Sequence, residues 1–509
     1  MYVLTIAFII AFQLCILVAF ASKSRPTSVN ISVSFADVSQ NDTLTLIFFQ
    51  DVLSEQLAET QEGEVFQTTA NKKTGYFHFD FATNKKSGYI SLYKERGHNG
   101  FPIFLLDLYL VESGDSVLID IRKLTPAREF NFKKGDTYYT SIYKFPDLDI
   151  QFSGKGSAKF QCRHEADLVT AMDSTSNIIF DSTGNYIFEN AAKVALQKSL
   201  VVVDKYRSLM SVTAAELLTA DLMGKFKQSL LHMATISITY DISTWSKDWL
   251  NKAIFKADEF FPLNPANVIS SKSYLYLLVY REMLRAIQEG KKPEDAYWQI
   301  KARYAGTVRD KMLAILLVKQ YDKLPKPALL LGDALSICKD SFSLMTIREL
   351  NNTLVKGSPA YNFKLVNTEG KIVRLDDFKG KVIMLDFYFT GCGACGAYFQ
   401  YGLLPAEEFF RNNDQVVFIS VSIDEDKELW LHTVNAGKFT SSSSINLYTN
   451  GKGVDDPVIK HYKVRGYPHP ILIDKNGRIF STSDTELRTS GSQHLIARIN
   501  EALRVPVDN

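Results

Sequence analysis

The stretch Val382-Ile383-Met384-Leu385-Asp386-Phe387-Tyr388-Phe389-Thr390-Gly391-Cys392-Gly393-Ala394-Cys395 decides the fold of the C-terminal part of this chain. It begins as an apolar run of strand length and ends on a C-x-x-C that leads into a segment with helical character. Cys392 is therefore expected at a helix N-terminus. There the free N–H groups and partial positive charge of the first turn favour thiolate over thiol, and a second sulfur three residues on can close a small disulfide ring. The expected chemistry is reversible dithiol–disulfide exchange, with the sulfurs at an accessible edge of the last domain.

Asp386 interrupts the apolar strand six residues before Cys392. Burial disfavours its charged form and raises its pKa. A buried carboxylate near the inner sulfur can take the proton of Cys395 when that thiol must attack, and return it on reduction. The plainer alternative, an Asp capping a strand or facing solvent at an edge, sits less well between Leu385 and Phe387. Farther on, Val464-Arg465-Gly466-Tyr467-Pro468-His469-Pro470-Ile471-Leu472-Ile473-Asp474 places Pro468 just before a buried strand. Proline suits a turn there, in either isomer. A cis bond would present the backbone of Tyr467 as a strand-like edge for a substrate peptide.

A C-x-x-C also occurs in zinc sites, which need four ligands. No second C-x-x-C or paired His lies nearby, and His461 and His469 are eight residues apart, outside the usual three-to-five spacing. Neither metal nor organic cofactor is expected.

The chain has 509 residues, 46% hydrophobic and 22% charged, with net charge +2 and no long basic or acidic block. Such a balance argues against nucleic acid as a partner, because phosphate binding needs clustered Lys and Arg. Met1 to Ala21 are apolar apart from Thr5 and Gln13, and Ala19-Phe20-Ala21 has the spacing of a signal-peptidase site. The reading is a signal peptide over 1–21; an uncleaved membrane anchor of the same length is the alternative. Either way the body of the protein is expected outside the cytoplasm, in the periplasm or cell envelope. A lipoprotein reading of Cys15 is disfavoured by Leu14 before it. Cys162, Cys338, Cys392 and Cys395 are too few to staple a scaffold of this size, so the cores must be hydrophobic.

The pattern divides the chain into a multidomain protein. Residues 29–160 form a β-rich, sandwich-like unit with half-buried antiparallel strands, as in Leu44 to Phe49, Gly75 to Phe81, Tyr89 to Tyr93, Leu108 to Val111 and Val117 to Ile121. Residues 166–354 form an α-helical domain, with helical periodicity in Asn190 to Met210, Ala214 to Ser237, Ser273 to Gln288, Pro293 to Tyr304 and Val308 to Tyr321. Residues 357–509 form an α/β domain. Its order is a hairpin turning at Glu369-Gly370, the strand through Asp386, the cysteine helix, a strand Val416 to Ser422, and a helix from about Lys427 to Asn435. A loop region, a hairpin turning at Asn476-Gly477 and a closing helix Ser492 to Leu503 complete it. Helices alternating with strands imply a mixed sheet covered on both faces.

The segment from Gly357 to Leu503 resembles the thioredoxin superfamily, specifically its exported TlpA-like branch. Gly357-x-Pro359-Ala360, Asp377-Phe378-Lys379-Gly380-Lys381-Val382, Asp386-Phe387, the C-x-x-C, Val421-Ser422-Ile423-Asp424 and Gly466-x-Pro468 before Leu472-Ile473-Asp474 match in order. The resemblance implies a thioredoxin-like fold, a nucleophilic Cys392, a resolving Cys395, Asp386 as proton relay, and a cis-Pro468 that forms the substrate platform. Gly393, Ala394, Tyr467 and Pro468 are then the expected substrate-binding residues. Gly391, Ala394, Gly396 and His469 depart from the residues common in the family, respectively Trp, Pro, Lys and Thr. Leu110-Val111-Glu112-Ser113-Gly114-Asp115-Ser116-Val117 resembles, more weakly, the accessory domain preceding TlpA-like modules in exported proteins of Bacteroidetes-type bacteria.

The implied function is a thiol-disulfide oxidoreductase acting on protein thiols and disulfides, as a reductase fed by a membrane or periplasmic electron donor. A cell-envelope scaffold with an auxiliary redox domain is the second reading. A thiol peroxidase is the third, weakened by the lack of a Thr-x-x-Cys setting, since Phe389 occupies the relevant place.

Overall fold

The computed structural model describes residues 27–507 apart from 36–42, 52–62, 72–73, 84–85, 97–101, 125–147, 173–187, 240–267, 293–294, 322–326 and 465. The apolar leader and Cys15 lie outside the described residues.

Among the described residues eight strands come first: β1 (Thr27–Phe35), β2 (Thr43–Phe49), β3 (Glu64–Thr69), β4 (Phe77–Thr83), β5 (Ser87–Arg96), β6 (Pro102–Glu112), β7 (Ser116–Leu124) and β8 (Leu148–Lys155). They form two four-stranded sheets, ordered β4-β1-β7-β8 and β3-β2-β5-β6. Strand β4 alternates buried and exposed residues because only one of its faces is covered. Val29, Ile31 and Phe79 of the first sheet meet Leu46, Phe48 and Leu92 of the second in one core, so the unit is a sandwich. Two features differ from the expectation of half-buried antiparallel strands. Strands β1 and β7 pair in parallel, from Asn30 opposite Ser116 to Phe35 opposite Ile121. Strand β2 is buried on both faces, since Ile47 and Phe49 turn away from the sandwich core toward helices. This second burial explains why Leu44 to Phe49 lacks a clean polar alternation.

Those helices are α1 (Ser157–Met172), α2 (Phe188–Tyr206) and α3 (Val212–Thr239). Helix α1 starts short of the boundary expected at residue 160. Its buried Cys162 and Ala166 pack with Val203, Leu217 and Leu218 of α2 and α3 against Tyr89 and Leu110 of the second sheet. Polar contacts pin the same junction. Asp221 of α3, pushed up to about 6 by burial, accepts from Tyr89 Oη at 3.0 Å and Ser271 Oγ at 2.6 Å. The buried pair Lys311 and Asp51 meets at 2.7 Å.

Among the described residues five further helices follow: α4 (Lys272–Gln288), α5 (Ala296–Arg303), α6 (Gly306–Gln320), α7 (Pro327–Ile337) and α8 (Ser341–Thr353). Ser271 and Asp340 cap α4 and α8 by accepting the N–H groups of Tyr274 and Ser343. Helices α7 and α8 are absent from the sequence reading. Pro327 is the first residue of α7, where its missing N–H costs nothing. Cys162 and Cys338 are both buried free thiols in separate cores.

The last sheet has seven strands in the order β10-β9-β13-β12-β11-β14-β15. They are β9 (Lys364–Asn367), β10 (Ile372–Arg374), β11 (Val382–Tyr388), β12 (Val416–Ser422), β13 (Ile445–Tyr448), β14 (Ile471–Ile473) and β15 (Ile479–Ser481). Strands β11, β12 and β13 run parallel, and β14 is antiparallel to β11. Strand β13 falls in the region expected to be loop. It is a strand because β12 and β9 pair with its two edges, information that four residues do not carry alone. Leu331, Ile347 and Leu350 of α7 and α8 share one core with Phe363, Leu385, Val421 and Ile471, so this sheet is built onto the helical segment.

Gly224 marks a close helix crossing: a Cβ there would lie 2.2 Å from the carbonyl carbon of Ser273 in α4. Gly224→Val is expected to destabilise the chain by about 2–3 kcal/mol through overpacking, read as a lower urea midpoint. An unchanged midpoint would show that α3 and α4 separate freely.

Candidate functional site

Strand β11 lies between β12 and β14, and all seven of its residues are buried. Its side chains divide by alternation. Ile383, Leu385 and Phe387 join the core shared with the helical segment. Val382 and Met384 face the opposite core with Tyr398, Phe399 and Leu403 from the cysteine helix and the π-helical turn after it. Asp386 follows them on that face, beneath the helix that carries the cysteines. Removal from water pushes its pKa up to about 8, although the backbone N–H groups of Phe387 and His469 and the charge of Arg488 oppose the shift. Its Oδ1 is buried without a hydrogen-bond partner.

After β11 the chain turns through Gly391, whose φ of 93° is a conformation that favours glycine. This accounts for glycine where the family commonly has Trp. Cys392 then caps α9 (Gly393–Tyr398): its Sγ accepts the Cys395 N–H at 3.1 Å, and the two cysteines are joined in a disulfide with Cα atoms 5.2 Å apart. The helix-terminal placement read from the sequence is present. The open edge is not. Cys392 is 0% exposed and Cys395 1%, whereas Gly393 and Ala394 between them are exposed. The disulfide therefore lies just beneath the surface, under aromatic side chains. Tyr388, Trp430 and Tyr448 are buried with it, and Phe389, Phe439 and Tyr467 pack against that group. Phe389 meets Tyr467 edge-on, with ring centroids 5.5 Å apart.

The peptide bond between Tyr467 and Pro468 is cis, and Pro468 is buried. His469 follows with its imidazole pKa lowered to about 4 by burial. Neither His469 nor His461 forms a metal set with the cysteines. His461 stacks on Tyr361, and no group of three or more candidate ligands exists among the described residues.

Sequence reasoning gave no role to Asp424, although it ends the apolar run of β12. Fully buried, it accepts the Thr390 N–H at 2.9 Å, the Thr390 hydroxyl at 2.7 Å and the Ser422 hydroxyl at 2.8 Å. The Thr390 hydroxyl also meets that of Thr433 at 2.8 Å. This clamp fixes the turn leading into Cys392. Its visible signal was a carboxylate closing a buried strand, the same signal that singled out Asp386.

The family model described as "Thioredoxin-like" matches residues 380–479. The thiol-disulfide oxidoreductase ResA of Bacillus subtilis (strain 168) is 29% identical over 127 residues, which is 25% of this chain and 66% of the relative. ResA of Geobacillus thermodenitrificans (strain NG80-2) is 30% identical over 125 residues, 24% of this chain and 66% of the relative. Among solved structures, the thioredoxin domain of a thiol-disulfide oxidoreductase from Bacteroides vulgatus is 29% identical, covering 30% of this chain and 99% of that one, with a TM-score of 0.26. A thiol:disulfide interchange protein from Bacteroides sp. is 29% identical, covering 30% and 93%, with a TM-score of 0.26. The chain thus matches just under two thirds of the length of these curated relatives. Residues 380–479 form a thioredoxin-like domain, and the C-terminal part of the chain is similar to thiol-disulfide oxidoreductases.

Asp386 links the site to stability. An unfolded Asp ionises near pH 4, so between about pH 4 and 8 the folded chain holds a proton that the unfolded chain has released. Stability contributed at this position therefore falls as pH rises through that window. Asp386→Asn is expected to raise stability by about 2–4 kcal/mol at pH 8 and by little at pH 4. Urea melts of both proteins at the two pH values check this, and a gain independent of pH would contradict it.

Proposed function

We propose that the protein is a thiol-disulfide oxidoreductase of the cell envelope that reduces protein disulfides through Cys392 and Cys395. The observation that carries this reading is the Cys392–Cys395 disulfide at the start of α9, above the buried, proton-holding Asp386. In the reduced protein Cys392 is the nucleophile, because the first turn of α9 stabilises its thiolate. It attacks one sulfur of a substrate disulfide, forming a mixed disulfide and releasing the other substrate sulfur as a thiolate. Asp386, in its ionised form, then takes the proton of Cys395, and Cys395 attacks Cys392 Sγ. The second substrate thiolate leaves, and the internal disulfide is restored. The substrate has gained two electrons and the pair has lost two, so a dithiol donor in the membrane or periplasm must reduce the pair again.

The substrate backbone is proposed to lie beside Gly393, Ala394, Tyr467 and Pro468, the segments that flank the disulfide. The export reading rests on the apolar leader of the sequence. Among the described residues no helix is long and apolar enough to cross a membrane.

Cys392→Ser is expected to abolish reduction of insulin disulfides while leaving the thermal unfolding of the chain in place. Cys395→Ser should instead trap Cys392 as a mixed disulfide with substrate, visible as an added mass lost on treatment with dithiothreitol. Undiminished insulin reduction by Cys392→Ser would refute the assignment. In Asp386→Asn, resolution at pH 7 should slow by about 10- to 1000-fold, because a positioned proton acceptor contributes roughly 100- to 10,000-fold and a carboxyl with a pKa of about 8 is ionised in only about a tenth of molecules at that pH. The deficit should shrink as pH approaches the ionisation of Cys395 itself.

A further inference from the structure

Exchange at the disulfide requires a thiolate to reach one of two sulfurs that are both buried. A single turn packs against the buried group that holds them. Helix α11 (Lys427–Ala436) ends at Gly437 in the left-handed conformation, and the chain that follows folds back on the cysteine helix. A Cβ on Gly396, beside Cys395, would sit 3.5 Å from both the Lys438 carbonyl oxygen and the Phe439 ring. Phe439 lies flat against Tyr388, with ring centroids 6.0 Å apart and planes 8° from parallel, and packs on the buried group that includes both cysteines.

The residues after Phe439 are tied down by a carboxylate from another helix. Glu407 of α10 (Leu404–Phe409) is 7% exposed. Its Oε2 accepts the Ser441 hydroxyl at 2.5 Å and the Ser443 hydroxyl at 3.2 Å, and its Oε1 accepts the Ser444 hydroxyl at 2.5 Å. Asn446 Nδ2 closes the turn by donating to the carbonyls of Ser441 and Ser444 at 2.8 and 3.1 Å. Hydrogen bonds to a charged acceptor are the stronger kind, and a buried carboxylate deprived of them is left unsolvated. The run Ser441-Ser442-Ser443-Ser444 thus has a specific use: three of its hydroxyls replace water around Glu407.

We propose that Glu407 is a positioning residue for the exchange reaction. With Ser441 and Ser444 it latches Phe439 beside the Cys392–Cys395 disulfide, favouring protein segments that displace the 437–444 turn as they bind over small free thiols. The inference rests on the oxidoreductase reading and adds its selectivity. No change in the redox equilibrium is required, because the latch acts on approach to the sulfurs and not on the bond exchanged.

The test uses the full oxidised chain, following reduction of Cys392–Cys395 by glutathione and by a reduced, unfolded cysteine-containing protein, together with the equilibrium constant against glutathione. Glu407→Ala and the double variant Ser441→Ala/Ser444→Ala are expected to raise the glutathione rate by about tenfold, the scale of losing one to two such bonds. Phe439→Ala should do the same with the latch intact. The rate with the unfolded protein should rise less, and the equilibrium constant should stay within about twofold, since the disulfide itself is untouched. If Glu407→Ala does not fold, the serine and Phe439 variants still decide the matter. Glutathione rates equal to wild type in those variants would overturn the latch, as would a rate and an equilibrium constant that shift together. Failure of the reduced wild-type chain to reduce insulin disulfides is a different result: it would overturn the oxidoreductase reading, and the latch with it.

Discussion

Strand β11 is the constraint on which the C-terminal domain depends. It pairs with β12 on one side and β14 on the other, and both of its faces are covered, so no residue from Val382 to Tyr388 reaches water. Six apolar side chains make that burial favourable. The seventh, Asp386, makes it useful, because a carboxyl group excluded from water holds a proton at a pH where an exposed one would have lost it. The strand that builds the core thus also sets the local proton chemistry.

From the end of that strand the site is assembled by side chains that hold the backbone in place. Gly391 permits the turn, Asp424 fixes it through Thr390, and Cys392 starts the helix by accepting the Cys395 N–H. Aromatic rings close over the result. Phe389, Tyr467 and Phe439 approach from three different loops. A Cβ at position 396 would stand 3.5 Å from the Phe439 ring, whereas the space beside position 391 is open.

The rest of the chain is not strung on a tether. The helices from α4 to α8 share a core with the last sheet, while α1 to α3 share another with the β-sandwich. Buried polar links such as Asp221 with Tyr89 and Ser271, and Lys311 with Asp51, fix the orientation of these layers more narrowly than apolar contact alone. The C-terminal domain is therefore carried on a body of packed sheets and helices.

Local sequence determined what short-range physics can determine. The apolar run ending in a C-x-x-C, the Glu369-Gly370 and Asn476-Gly477 turns, and the closing helix Ser492–Leu503 are each specified by residues next to one another. Asp386 was legible because a lone carboxylate in such a run is costly unless it has a purpose. Tertiary structure alone decided the parallel pairing of β1 with β7, the strand character of β13, and the burial of the sulfurs. It also joined Glu407 to a serine turn more than thirty residues away. Each of these depends on which distant segment arrives as a neighbour, and neither periodicity nor spacing within a segment encodes the identity of that neighbour.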